Sequence, residues 1–432
     1  MIVALKQSTK GPDGPCSEAA LMRLWLAGVI LLVFTGLASA AGLTTSAKLR
    51  IEETNHYRIH TDLDRELSAD LGRRMDAMYE EYSRRLACFD TNHSGNKFNV
   101  YLFAKRNNYL EFTGYRLSNA AGVTMPDINV VAAYLQNQGR DGLRQTLQHE
   151  AFHQFAASVI NHDLPPWLNE GLAVVFEEGI WTGRNFLLGQ IPPRRIRQLQ
   201  NDIASNKLID FHTMLTMSHK DWNTVLNSDR MRGATEYTQA WAMCEFLIYA
   251  GEHEGSPRGH AKYRARFLDM LQRIHAGTDA MAAFTQAFSP NYDGFQTLFT
   301  RWAAGLVPSP EATLIERQNI LADMLSKFSQ EGRRFDAMDA FRQTLIRGGY
   351  QMQYTVNNVK WETDANPRIY FRDLDGRPYN SDEQYFDVRD GAPLPDLVCD
   401  AVAQIHLRTR FYDLPGNGIE HETLVEGGGN GR

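Results

Sequence analysis

The sequence predicts an α+β fold, and three patterns carry that prediction. Apolar residues recur at helical spacing through Leu63, Leu67, Leu71, Met75, Met78, Tyr82 and Leu86. Lys97 to Ala104 instead alternates, with Phe98, Val100 and Leu102 on one side, and Ile128 to Leu135 reads as a second short strand. From Arg194 onward the chain is mostly helical, and short alternating runs return between Tyr354 and Tyr412. A chain of 432 residues with 43% hydrophobic content has material for two or three domains. Its net charge of -6, spread without long runs, gives no footprint for nucleic acid, and neither a Gly-rich phosphate loop nor an internal repeat is present.

Residues 1–40 read as an export signal rather than as fold. Met22-Arg23 leads into an apolar run from Leu24 to Leu37 that ends at Ala38-Ser39-Ala40, a small-x-small cleavage signal, and Met22 is an alternative start. The run is too short to span a bilayer comfortably, so cleavage leaves an exported protein, periplasmic or extracellular, with no stable membrane span. Loss of Cys16 leaves Cys88, Cys244 and Cys399, an odd set without Cys-x-x-Cys spacing, of which Cys244 reads as a small buried hydrophobe in an apolar helix. Residues 45–138 then form an N-terminal α/β subdomain in the order helix, strand, helix, edge strand, with Ile128–Leu135 as the edge.

Residues 139–307 hold the pattern richest in chemistry, His149-Glu150-Ala151-Phe152-His153. A helix advances about 3.6 residues per turn, so side chains at i and i+4 share a face and both imidazoles reach one ion. Glu150 sits one step round, where it would touch a metal-bound water rather than the metal. Asp141 followed by Gly142 can cap the helix start, and Leu143, Leu147, Ala151 and Phe155 form a buried stripe beside the histidine face. A core helix carrying two incidental histidines is the competing reading. Downstream, Pro165-Pro166 end one element and set the first turn of a second helix. Sixteen residues separate His153 from Glu170, enough chain to bring that helix alongside with a carboxylate facing the histidines. Two His and one Glu are a standard set for catalytic Zn2+, which keeps a fourth position for water. Glu177, two turns beyond Glu170, could orient a ligand histidine through its free ring nitrogen; a solvated helix end beside Glu178 is the alternative.

His-Glu-x-x-His followed by Pro-x-Trp-Leu-Asn-Glu-Gly-Leu-Ala resembles the gluzincin branch of zinc metallopeptidases, in particular the peptidase-MA-like group that includes the DUF1570 family. The resemblance covers roughly residues 50 to 305. It implies a mixed sheet with an active-site helix and a mainly helical second half, zinc on His149, His153 and Glu170, and Glu150 as general base. The segment Glu236-Tyr237-Thr238-Gln239 resembles the Tyr-Glu-Lys-Gly helix of leukotriene-hydrolase-type aminopeptidases, which implies an oxyanion-stabilising role for Tyr237; a packing tyrosine beside Ala240, Met243, Phe246 and Leu247 is the alternative. Those aminopeptidases bind the substrate amine through a Glu that the matching stretch here, Gly122 to Asp127, lacks. The expectation is an exported zinc endopeptidase acting on a peptide or protein substrate laid along a sheet edge. The competing expectation is a non-catalytic binding protein on the same scaffold, for extracellular peptide or cell-wall polymer.

After Pro308-Ser309-Pro310, residues 311–413 predict a helical hairpin and a small β region. Ile320, Met324 and Phe328, then Phe335, Met338, Phe341 and Leu345, flank a hinge near Gly332, and Asp375-Gly376 marks a turn. The Gly-rich residues 414–432 are expected to be a disordered tail.

Overall fold

The computed structural model describes residues 4–6, 43, 45–89, 97–115, 120–160, 162–253, 257–356, 359–402, 405–414 and 418–426. Apart from the short strand β1 (Ala4–Lys6), the expected export signal lies outside these residues. The fold is α+β, as its patterns predict. An antiparallel pair, β2 (Arg50–Glu53) and β3 (Tyr57–Thr61), precedes the first helix. The sequence does not announce it, because Arg-Ile-Glu-Glu carries more charge than apolar surface.

Helix α1 (Arg65–Arg85) starts where the Asp64 carboxylate accepts the Leu67 N–H at 2.8 Å, and its predicted stripe from Leu63 to Leu86 is buried throughout. Then come β4 (Phe98–Phe103), α2 (Arg106–Phe112), β5 (Gly122–Met125), β6 (Val130–Tyr134), α3 (Gly139–Val159) and α4 (Pro166–Glu177). The sheet runs β2-β3-β4-β6-β5, with β3, β4 and β6 parallel and the outer two strands antiparallel to their neighbours. This corrects the expected edge: Ile128 belongs to a turn, β6 is interior, and β5 is the edge. The reason is visible in β6 itself. Val131 and Ala133 enter the main core while Val130, Ala132 and Tyr134 pack with Phe103, Tyr109 and Phe112 on the other face, as an interior strand must.

The helical half follows a small hairpin, β7 (Ile180–Trp181) and β8 (Phe186–Leu187), and comprises α5 (Pro193–Ala204), α6 (Phe211–Thr216), α7 (His219–Ser228), α8 (Arg230–His253), α9 (Pro257–His275), α10 (Ala280–Ala287) and α11 (Tyr292–Ala304). One apolar core includes residues from Tyr57 to Leu306, so the segments 45–138 and 139–307 share it. No described helix is long and apolar enough to cross a membrane.

Helices α12 (Pro310–Gln330) and α13 (Met338–Gly348) form the expected hairpin, with Gly332 at φ 78° in the turn. Strands β9 (Gln351–Val356) and β10 (Val359–Glu362) pair beside β1, and β11 (Gln384–Asp387), β12 (Asp396–Val402), β13 (Ile405–Leu414) and β14 (Gly418–Glu426) form an antiparallel sheet. Strand β14 corrects the expected disordered tail for residues 418–426; residues 427–432 lie outside the described ones. Its polar side chains are not solvated: Glu420, His421 and Glu422 are all buried. Glu422 pairs with Arg144 on α3 and with Arg74 on α1, the latter at 3.3 Å. The start of α3 differs accordingly. Gln138 occupies the cap position, and Asp141, expected to cap, lies in the first turn with its carboxylate 3.1 Å from Arg144 Nη1 and accepts the Thr423 N–H at 3.4 Å.

Candidate metal centre

Helix α3 is buried nearly all round between α1, the sheet and α4, so its histidine face meets protein rather than water. Pro166 stands at the first position of α4, where its missing N–H costs nothing. Gly171 then lets α4 close on α8: a Cβ there would lie 2.5 Å from the Ala240 carbonyl oxygen and 2.6 Å from Cys244 Sγ. That approach sets the adjacent Glu170 toward α3. Cys244 is fully buried as expected, and Cys88, Cys244 and Cys399 are all free thiols.

The structure brings His149, His153 and Glu170 together. Glu170 Oε2 is 3.3 Å from His149 Nε2 and 3.7 Å from His153 Nε2, and the three ligand atoms lie within 4.8 Å of one another. All three residues are at most 4% exposed, and none of these atoms completes a hydrogen bond. Three buried, convergent donor atoms arranged in this way could hold a metal ion.

Each histidine is held from behind. His149 Nδ1–H donates to Glu177 Oε2 at 3.1 Å, and His153 Nδ1–H donates to Asn169 Oδ1 at 3.1 Å, which leaves both Nε2 atoms to face inward. Glu177 is therefore no solvated helix end. Arg195 Nη2 donates to its Oε1 at 3.0 Å, while Arg195 Nε and Arg194 Nη2 each reach Glu178 Oε1 at 2.6 Å. Asn169, Arg194 and Arg195 carry no role in the sequence reading. Asn169 is adjacent to Glu170 and could have been found from that; the arginines approach by way of the β7–β8 hairpin, which local spacing does not foretell.

Burial pulls the His149 imidazolium down, but Glu170 and Glu177 outweigh it and lift its pKa to about 10. Burial pushes Glu170 up, and the two histidines more than reverse that, holding it at about 2. Glu150 is raised by burial against the pull of His153 and His149. Its Oε2 accepts from Thr124 Oγ1 at 2.6 Å, and its Oε1 is buried without a hydrogen-bond partner. Tyr237 lies on α8 beside this group, its ring centroid 6.5 Å from that of His149 and packed edge-on against Trp222 at 5.3 Å; burial and nearby Glu170 raise its hydroxyl well above the ordinary range.

Residues 144–254, from α3 through α8, match the family described as "Protein of unknown function (DUF1570)". The matched span contains His149, Glu150, His153, Glu170 and Tyr237, and part of the chain is thus similar to that family, whose description assigns no activity. No curated protein matches the chain.

Proposed function

We propose that this protein is an exported zinc-dependent endopeptidase of the gluzincin type. The observation that carries the reading is the convergence of two Nε2 atoms and one carboxylate oxygen on one buried point, with the free oxygen of Glu150 on the same helix. His149, His153 and Glu170 would hold the ion, and zinc bound there supplies a Lewis acid that brings a coordinated water to near-neutral pKa. Glu150 is the proton carrier: it takes a proton at its unpartnered oxygen and returns it to the leaving amine. Tyr237 donates a hydrogen bond to the developing oxyanion. Glu177 and Asn169 keep both imidazoles in the tautomer that presents Nε2. Among the described residues β5 pairs only with β6, so its outer edge can take an extended peptide by strand addition. The absence of a carboxylate between Gly122 and Met125 favours internal cleavage over aminopeptidase action.

The test is metal analysis of purified protein together with a broad peptide library. Wild type should carry one zinc and cleave; Glu150→Gln should keep zinc and lose about 10²–10⁴-fold in turnover, and Tyr237→Phe should keep zinc and lose about 10²-fold. Stoichiometric zinc with no cleavage would leave a binding protein for extracellular peptide or cell-wall polymer instead. Export is read separately, by N-terminal sequencing from the native host: a start near Ala41 supports it, and an intact start at Met1 or Met22 overturns it.

A further inference from the structure

We propose that Thr124, on the edge strand β5, is the positioning residue that holds the Glu150 carboxylate in its working orientation, an inference that rests on the peptidase reading of the site. Thr124 is 1% exposed, and its Oγ1 lies 2.6 Å from Glu150 Oε2 and 2.8 Å from the Glu150 carbonyl oxygen. The hydroxyl carries one proton, and the shorter of the two contacts directs it to the carboxylate, beside that residue's own backbone carbonyl. Hydroxyl-to-carboxylate bonds of this length are charge-assisted and directional, and here the bond occupies one oxygen while leaving the other free.

The local sequence is shaped for this contact. Residues two apart on a strand share a face, so Gly122 and Thr124 both turn toward α3. A Cβ at Gly122 would stand 2.5 Å from Thr146 Cγ2 and 3.2 Å from Glu150 Cγ. The empty position lets the strand sit close enough for the next inward side chain to reach the base. Because β5 is also the strand with an open edge, the element that would pair with substrate is the element that orients the proton carrier. A peptide paired with β5 would therefore meet a base already oriented by the same strand.

Zinc-loaded wild type, Thr124→Val and Thr124→Ser decide the matter, with Thr124→Ala carried alongside in case valine does not fit. Crystal structures report the Glu150 torsions, chelator competition reports zinc affinity, and kcat and KM are followed on any peptide that the wild type cleaves. In Thr124→Val the carboxylate should leave its place while zinc affinity stays that of the wild type, and kcat should fall roughly 10²-fold with KM kept, as expected for a misplaced catalytic group. Thr124→Ser should restore both the carboxylate position and kcat. A Glu150 carboxylate in its wild-type position in the valine and alanine variants would overturn the proposal. So would loss of zinc binding in both, because Thr124 would then support the helix rather than the base, and so would a serine variant that restores nothing. The structural and zinc measurements stand even if no peptide is cleaved, so failure of the peptidase reading and failure of this one are different results.

Discussion

Glu170 supplies the only carboxylate oxygen among the described residues that lies within 4.8 Å of both histidine donors, and it comes from a different helix than they do. Removing it should therefore empty the site rather than weaken it slightly. Elemental analysis of Glu170→Ala should find zinc lost while that of the wild type is stoichiometric; unchanged metal content would remove Glu170 from the ligand set. This group was legible in the sequence because helical spacing fixes His149 against His153 whatever surrounds them, and because Pro165-Pro166 places the start of the second helix. The contacts behind the ligands were legible only in part. Glu177 follows from its spacing, whereas Thr124 and Arg195 reach the site across a sheet edge and a hairpin, and no local period records such approaches.

Helix α8 shows what burial costs at the level of an element. It carries Tyr237 to the site and packs Ala240 and Cys244 against Gly171 of α4, and a neighbouring face takes Glu245 fully into the interior. Burial pushes the Glu245 carboxyl up to about 8 from an ordinary 4.5, with Arg85 pulling the other way. The folded protein thus keeps a proton that the unfolded chain gives up. The sign follows: this contribution to stability is complete below pH 4.5 and is lost as pH rises toward and through about 8. Glu245→Gln, neutral throughout, should flatten the decline of Tm across that window; a wild-type profile no steeper than the variant's would refute the assignment. Elements were read from the sequence less evenly than residues. The α1 stripe is explicit, but a strand buried on both faces and a strand at an edge carry similar apolar runs, which is why β6 reads as an edge when it is interior. Strand β14 was misread for the opposite reason: Glu420-His421-Glu422 looks like solvated chain until Arg74 and Arg144 are known to wait for it.

Across the whole molecule, the C-terminal sheet is fastened to helices α1 and α3 by charge as well as by apolar contact. Glu422 meets Arg144 and Arg74, Asp70 lies 2.8 Å from each of those arginines, and Arg140 stacks over Tyr412 at 4.1 Å. Breaking one member of such a buried group leaves the others uncompensated, at about 3–5 kcal/mol. Glu422→Gln should accordingly lower the urea midpoint of the protein, and an unchanged midpoint would show that Asp70 and Asp141 suffice for the two arginines. The same attachment bears on timing. Glu422 stands 348 positions along the chain from Arg74, and a contact that distant needs a very long loop to close and strand β14 to have been made. The first turns of the helix bearing both histidines thus find their last partners only once strand β14 exists, long after the motif itself has been made.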